Sequence, residues 1–255
     1  MRMLVAAALL AATPAIASAD VTIRFIANEG VYITDGDTAV LIDALTWNSY
    51  DGTYALPSDE ARAAMIAGDA PYENVVALLF THIHGDHSDP AGAVEFLNAQ
   101  GNGVVAASTQ ITDAISNGEG AASRINSVAL SAEEPGPWQL PAHDFIEGAW
   151  VFHREGVDNI TWHVNLAGVS ILHLGDTQPQ MADFSVWDDT EFDVILYPYW
   201  FAQMPEGVAF LDSRPDARAI AFHIPAAATP LTIQAGLGER EYLFGEGSEV
   251  VIESE

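Results

Sequence analysis

The densest group of potentially reactive side chains lies in FTHIHGDHSDP, from Phe80 to Pro90. It directly follows the apolar stretch VVALLF, which is typical of a buried strand. Side chains two positions apart on an extended segment point the same way, so His82 and His84 can bind one ion. Asp86 and His87 follow where the chain turns toward a helix, and they can face a second ion. Imidazole and carboxylate ligands suit zinc, and also manganese or iron.

The rest of the composition narrows the possible chemistry. The chain has no cysteine, and all eight of its cationic residues are arginine, which excludes thiol catalysis and lysine Schiff-base chemistry. The formal net charge is -28. Such a surface repels polyanions, because nucleic-acid affinity depends on cations that displace phosphate counterions. We therefore expect a small-molecule substrate, and neither a nucleic acid nor an anionic membrane as a partner.

The first residues, MRMLVAAALLAATPAIASAD, have the pattern of a secretory signal peptide. Arg2 gives a basic start, an apolar run follows from Leu4 to Ala12, and small residues precede Asp20 as in a cleavage site. The run is too short to span a bilayer, and a buried N-terminal helix is the alternative. We predict a signal peptide at residues 1–19, a mature domain at 20–255 that does not insert into membranes, and a periplasmic or secreted protein.

Strand and helix patterns alternate along the mature chain. VTIRFIANEGVYITDGDTAVLIDAL predicts successive strands with turns at residues 28–30 and 35–37. Helices are predicted to begin after Ser58 and after Asp89. Further strands are expected at residues 103–108, 150–152, 160–166, 169–174, 194–197 and 219–222. No linker or low-complexity stretch divides the chain, so we predict one domain of the α/β or α+β class.

Four segments resemble motifs of the metallo-β-lactamase-fold hydrolases. THIHGDH (81–87) matches the His-x-His-x-Asp-His signature of that family. LHLGDT (172–177) is similar to its strand that ends in Gly-Asp. AVLIDAL (39–45) resembles its early strand that ends in aspartate, and IAFHIP (220–225) resembles its closing strand with a terminal histidine. The resemblance implies a four-layer αβ/βα sandwich with two metal ions at one edge of the paired sheets.

The resemblance also implies a set of ligands. The first ion is expected at His82 and His84, the second at Asp86, His87 and His223, with Asp176 bridging both. Asp43 is expected to orient a ligand imidazole, and a simple turn aspartate is the alternative.

A third histidine for the first ion has to be chosen among several. The Gly-His-Thr motif of many relatives is absent, and VFHREGVDNITWHVNLAGVSILHLGD instead resembles the branch that includes sugar-phosphate lactonases. In that branch the ligand ends a strand, which selects His153. His143 and His163 are the alternatives. His173 and Asp176 are separated by an odd number of positions, so on an extended segment their side chains point to opposite faces. His173 is therefore expected in the core.

Together these features predict a hydrolase with two divalent ions, zinc first and manganese or iron as alternatives. A hydroxide that bridges the two ions would attack a small ester, lactone, amide or phosphodiester, and Asp86 would orient the water or take its proton. A β-lactamase-type activity is one alternative, although the cysteine ligand of many β-lactamases is missing. The other alternative is an accessory protein that binds metal without turnover.

Aromatic residues follow two strand ends where an active-site edge is expected. Candidates for substrate contact, with ordinary core packing as the alternative, are Trp47, Tyr50, Tyr54, Trp200 and Phe201. Arg154, next to His153, is either a binding group for a substrate anion or a surface arginine.

Overall fold

The computed structural model describes residues 19–115 and 122–254. The predicted signal peptide lies outside these residues except for its last position, so its removal stays a prediction. The described strands pair into two seven-stranded sheets, and helices cover the outer face of each sheet.

The first sheet combines an antiparallel side with a parallel side. Its strands are β1 (Val21–Phe25), β2 (Val31–Thr34), β3 (Ala39–Ile42), β4 (Val75–Leu79), β5 (Val104–Ser108), β6 (Ile125–Val128) and β14 (Glu249–Ile252). The order across the sheet is β14-β1-β2-β3-β4-β5-β6. Strands β3 to β6 run parallel, while β14, β1, β2 and β3 pair antiparallel. The parallel strands β3 and β4 therefore end at the same edge.

The second sheet has the same mixed construction. Its strands are β7 (Trp138–Gln139), β8 (Ile146–Trp150), β9 (Ile160–Leu166), β10 (Val169–His173), β11 (Val194–Pro198), β12 (Arg218–Phe222) and β13 (Glu241–Tyr242). The order is β13-β12-β11-β10-β9-β8-β7. Strands β7 to β10 pair antiparallel, whereas β10, β11, β12 and β13 run parallel.

Helices follow the parallel strands, and the first two begin directly after Ser58 and Asp89 as the sequence predicts, whereas the other three were not predicted. The helices are α1 (Asp59–Ala67), α2 (Pro90–Ala99), α3 (Thr109–Ile115), α4 (Pro205–Asp212) and α5 (Pro230–Leu237). Ser58 caps α1, because its side chain accepts a hydrogen bond from the backbone N–H of Ala61. The Asp89 side chain caps α2 in the same way, and Pro90 occupies the first turn. Among the described residues, no helix is long and apolar enough to cross a membrane.

Three apolar clusters define the layers. One cluster fills the space between the two sheets and includes Ile23, Leu79 and Trp162. A second cluster joins the first sheet to α1, α2 and α3, and a third joins the second sheet to α4 and α5. The chain is thus a four-layer sandwich of helices, sheet, sheet and helices, which confirms the predicted fold class.

The strand predicted at residues 150–152 lies elsewhere. Strand β8 covers Ile146–Trp150, so it begins earlier and ends before Phe152. After Trp150 the chain leaves the sheet: the Val151 N–H donates to the carbonyl of Asn159, and the carbonyl of Phe152 accepts from the Gln178 N–H. This departure carries the next residue, His153, toward the edge where the parallel strands end.

Candidate metal centre

The seven predicted ligands all follow strand ends, and the fold brings them to one edge. His82, His84, Asp86 and His87 follow β4, His153 follows β8, Asp176 follows β10, and His223 follows β12. The carboxyl ends of parallel strands are where open α/β sheets place their binding sites. The first sheet supplies four of these side chains and the second supplies three. Within the described residues they form two groups whose ligand atoms are close enough to hold a metal ion.

The first group contains His82, His84, His153 and Asp176. The Nε2 atom of His82 lies 2.8 Å from Nδ1 of His84 and 3.6 Å from Oδ2 of Asp176. Nε2 of His153 lies 3.8 Å from the same carboxylate oxygen. Ligand atoms bound tetrahedrally to zinc stand roughly 3.3–3.5 Å apart. The spacing therefore fits an ion of this size with small adjustments of the side chains.

The second group contains Asp86, His87 and His223, with Asp176 at its border. The Nε2 atoms of His87 and His223 are 3.1 Å apart, and each lies 3.6 Å from Oδ2 of Asp86. Oδ1 of Asp176 is 3.5 Å from Nε2 of His87 and 3.2 Å from Nε2 of His223. The two oxygens of Asp176 thus face different groups of imidazoles.

Two buried atoms at the centre indicate that its side chains fit metal ions. Oδ1 of Asp176 and Nε2 of His153 are buried and have no hydrogen-bond partner among the described residues. Buried polar atoms are nearly always paired, so each such atom requires an explanation. Oδ1 of Asp176 faces the second group and Nε2 of His153 belongs to the first, so a cation bound at each group would satisfy these atoms, and the histidine and carboxylate donor set suits divalent cations.

For His153, His87 and His82, contacts of the far ring nitrogen aim the ligand nitrogen into the centre. Nδ1 of His153 lies 2.7 Å from the carbonyl oxygen of Asp176, which can only accept, so Nδ1 carries the proton and Nε2 is free. Nδ1 of His87 lies 2.8 Å from Oδ2 of Asp43. Nδ1 of His82 lies 3.1 Å from the hydroxyl of Thr81. Each contact fixes the orientation of one imidazole.

Asp43 contacts the residues that carry the ligand rings on the side away from the centre. It follows β3 directly and is fully buried. Its carboxylate accepts hydrogen bonds from the N–H of Thr81 at 2.7 Å and from the hydroxyl of Thr81 at 2.5 Å, besides its contact with His87. The same threonine therefore links Asp43 to the ring of His82. These contacts support the prediction that Asp43 orients ligand imidazoles.

The charge states of three histidines suit metal binding. Burial, followed by the neighbouring imidazoles, holds the pKa of His82 well below its ordinary value. Burial is also the largest cause of the lowered pKa of His84 and of His153. These rings are therefore neutral near pH 7, and a metal ligand has to be the neutral imidazole.

His87 differs because acidic groups surround it. Burial alone would lower its pKa, but Asp176, Asp43 and Glu29 together outweigh burial and raise the pKa well above the ordinary value. The protonated, cationic form of His87 is thus favoured among several buried carboxyl groups. A metal ion bound at Nε2 of His87 would supply the positive charge in place of this proton.

Glu29 is a site residue that the sequence did not predict. It lies in the turn between β1 and β2, is fully buried, and has Oε2 at 3.7 Å from Nδ1 of His87. Neither carboxyl oxygen has a hydrogen-bond partner in the described part of the chain. Burial and then the charge of Asp176 raise its pKa well above the ordinary value. The sequence ANEGV is typical of an exposed hairpin turn, so it does not predict that Glu29 is buried.

Asn28, in the same turn, fixes Asp86. Its amide donates to Oδ2 and to the carbonyl oxygen of Asp86, both at 3.1 Å. The backbone carbonyl of Asn28 accepts a hydrogen bond from the N–H of His223. Asn28, Asp43 and His223 all have a positive φ, at 54°, 47° and 56°. Such conformations are costly for residues with a Cβ and concentrate at functional sites.

The other three histidines lie outside the two groups. His143 is in a loop beside Phe145. His163 is buried, with Nδ1 at 3.1 Å from Glu147 and Nε2 at 2.9 Å from the hydroxyl of Ser170. His173 is fully buried, and burial lowers its pKa to about 4. The structure brings His153 alone of the three alternatives to the centre, and His173 is a core residue as predicted.

A cleft of about 410 Å³ opens onto the centre. Its lining residues are Tyr50, Thr53, Tyr54, His84, Asp86, His153, Arg154 and Asp176. Tyr50 and Tyr54 are thus on the cleft wall as expected. The ring of Trp200 packs against His223 with centroids 4.7 Å apart. Phe201 is fully buried in the outer core of the second sheet, so its prediction as a substrate contact was wrong.

The metallo-beta-lactamase superfamily matches residues 30–211 of the chain. This span covers most of the fold and includes the segment after β4, His153 and Asp176, whereas His223 lies beyond it. The chain belongs to the metallo-beta-lactamase superfamily and is a metal-dependent hydrolase with clustered histidine and aspartate side chains as its candidate metal site.

Solved structures share this fold at low sequence identity. An isothiocyanate hydrolase from Delia radicum gut bacteria is 12% identical with a TM-score of 0.62, over 91% of this chain and 100% of that chain. A metallo hydrolase from Ignicoccus hospitalis is 14% identical with a TM-score of 0.56, over 92% and 100%. Human tRNase Z, short form, is 15% identical with a TM-score of 0.55, over 91% and 98%.

These likenesses show the fold alone and leave the substrate open. No curated protein matches the chain. Because human tRNase Z shares the fold, the expectation that this protein does not bind nucleic acid rests only on its charge and stays a prediction.

Proposed function

We propose that the protein is an exported hydrolase that binds two divalent metal ions, zinc first, and acts on a small ester, lactone, amide or phosphodiester. The observation that carries the proposal is the placement of Asp176 between two groups of imidazoles, with one oxygen toward each. A single-ion site needs no such carboxylate. The cleft of about 410 Å³ supports a small substrate.

The ligand assignment follows the two groups. The first ion would be held by His82, His84 and His153, the second by Asp86, His87 and His223, and both by Asp176. When bound, a pair of divalent ions supplies a water of lowered pKa and polarises the bond that is broken. The remaining catalytic work falls to side chains that line the cleft.

Asp86 is the residue that we propose to orient the attacking water and take its proton. Burial alone would raise its pKa, but a hydrogen bond from His223 and the charge of His87 outweigh burial and lower the pKa. Asp86 is therefore a carboxylate near pH 7 and can accept a proton. The two hydrogen bonds from Asn28 hold it in one orientation.

Tyr54, which also lines the cleft, supplies a hydrogen-bond donor. Its ring lies 4.5 Å from that of His223, centroid to centroid. Burial, and then the charges of Asp176 and Asp86, raise its pKa to about 12. The hydroxyl therefore stays protonated near neutral pH, and it can donate a hydrogen bond to an oxygen of the substrate.

The test combines metal counting with a substrate panel. Purified protein would be loaded with zinc or manganese, its ions counted, and its activity measured on esters, lactones, amides, β-lactams and phosphodiesters. We expect two ions per chain and turnover of at least one class other than β-lactams. Asp176→Asn keeps the shape of the side chain but removes the shared charge, so it should lose an ion and the turnover.

Two results would contradict parts of the proposal. Two bound ions without turnover on any class would favour a metal-binding accessory protein. One ion per chain in the wild type would contradict the bridging role of Asp176. Export is tested separately: in fractionated cells, the mature protein should be found outside the cytoplasm with an N-terminus near Asp20.

A further inference from the structure

Arg154 is an exposed cation without a partner of its own among the described residues. In residues 19–115 and 122–254, no ion pair or hydrogen bond holds its guanidinium group. Other arginines are occupied: Arg24 pairs with Glu249, Arg62 with Asp89 and Glu95, and Arg218 with Glu241. An unpaired arginine is unexpected on a chain whose net charge is -28, because carboxylates are abundant on its surface.

The position of Arg154 is next to the reacting centre. It lines the cleft of about 410 Å³ together with His84, His153 and Asp176. It also lines an adjoining cavity of about 780 Å³ that contains Phe152, Gln178 and Met181. Arg154 therefore stands where a substrate held at the centre would extend outward.

The loop that carries Arg154 is held in place. A β-bridge pairs Arg154 with Val157. The side chain of Gln110, on α3, donates to the carbonyl of Gly156 at 2.9 Å and accepts from the N–H of Asp158 at 3.1 Å. A backbone that is already fixed has less freedom to lose when its arginine binds a ligand, which favours recognition.

We propose that Arg154 binds a carboxylate of the substrate, so that this enzyme prefers small esters or lactones that carry one further carboxylate. The guanidinium fork matches a carboxylate with two parallel hydrogen bonds. One arginine balances one negative charge. A doubly charged phosphate would keep an uncompensated charge near the acidic side chain of Glu155, which is not among the candidate metal ligands. The proposal rests on the hydrolase function proposed above.

Paired substrates test the proposal. In para-nitrophenyl isocaproate, two methyl groups replace the two carboxylate oxygens of para-nitrophenyl hemisuccinate. For the metal-loaded protein, the ratio of kcat/KM for hemisuccinate to kcat/KM for isocaproate should fall about tenfold or more in Arg154→Gln, since a hydrogen-bonded charge pair is lost. Arg154→Lys should retain part of the preference, because it keeps the charge but not the fork.

Arg218→Gln is the matched control. It changes the net charge by the same amount, but Arg218 begins β12 while the site residue His223 follows the other end of that strand. This variant should keep the wild-type ratio. Ions must be counted in every variant, so that a loss of metal is not mistaken for a loss of recognition. An unchanged ratio in Arg154→Gln, or an equal drop in Arg218→Gln, would overturn the proposal.

A binding measurement separates this inference from the proposed function. If the metal-loaded wild type hydrolyses neither ester nor any other class, the proposed function fails. Calorimetric titration with succinate and with isocaproate still tests Arg154, because both ligands carry one carboxylate for the metals and only succinate carries a second. Succinate should lose affinity in Arg154→Gln about tenfold more than isocaproate does. Equal losses would overturn the inference in this arm.

Discussion

His153→Ala should remove one metal ion from the protein and abolish hydrolysis. His153 supplies the third imidazole of the first group, and its unpaired Nε2 atom lies 3.8 Å from the shared carboxylate of Asp176. Without it, the first ion would retain His82, His84 and the shared aspartate. The second group loses none of its own side chains, so its ion should remain.

The magnitude follows from the number of ligands. Loss of a residue that merely orients a ligand costs about tenfold or more in metal affinity, and loss of a ligand itself should cost at least as much. His153→Ala also removes the hydrogen bond to the carbonyl oxygen of Asp176, which helps to place that bridging residue. We therefore expect about one ion per chain after gel filtration, where the wild type holds two.

Two alanine variants serve as controls for this assay. His143→Ala removes a loop histidine and should keep both ions. His163→Ala breaks the contacts to Glu147 and Ser170, so it should cost about 1–3 kcal/mol in the free energy of unfolding while both ions remain. Metal content would be measured by mass spectrometry on the purified proteins, and stability by urea unfolding. Two ions in His153→Ala, with one ion in either control, would refute the assignment of the third histidine.

Three further outcomes are expected. Chelation should lower the melting temperature by about 5 °C or more, because a ligand at a hundredfold excess over Kd stabilises the folded state by about 2.7 kcal/mol. Added zinc should restore the melting temperature. An unchanged melting curve after verified metal removal would contradict a buried metal centre. Asp43→Asn should weaken metal binding about 10–100-fold in a competition titration, because the orienting contact to His87 is lost. If this variant bound metal with wild-type affinity, Asp43 would be a simple turn residue that does not orient a ligand. Raising sodium chloride from low to physiological concentration should increase the free energy of unfolding, because it screens the charge of -28; a decrease would mean that local ion pairs dominate.

The sequence predicts the local part of the site well, because the spacing of adjacent residues fixes it. His82 to His87 follow a buried strand, and the order of strands with connecting helices is set by alternating apolar patterns. Asp176 and His223 were selected by the resemblance of their strand ends, and the fold brings both to the same edge. Their role as ligands is what the metal measurements test.

Other features depend on contacts between distant segments, which no local pattern contains. Glu29 lies in a turn sequence that normally faces solvent, but the second sheet covers it, and His173 Nε2 lies 3.0 Å from its carbonyl oxygen. Phe201 follows a strand end like Trp200, but a short helical turn at Phe201–Gln203 directs its ring into the core. Phe152 is apolar enough for a strand, but its segment has to leave the sheet to deliver His153.

The division of ligands between the sheets has a mechanical consequence. Each candidate metal group combines side chains from the loop after β4 with side chains from the second sheet. Between the sheets lies an apolar cluster, and the hydrogen bonds that join the two sheets include those from the Trp162 indole N–H to the carbonyl of Phe80 and from the Ile160 N–H to the carbonyl of Thr81. Bound ions would cross-link the two sheets at one end of this interface. The two halves of the sandwich could then separate only by opening from the opposite end or by first releasing metal.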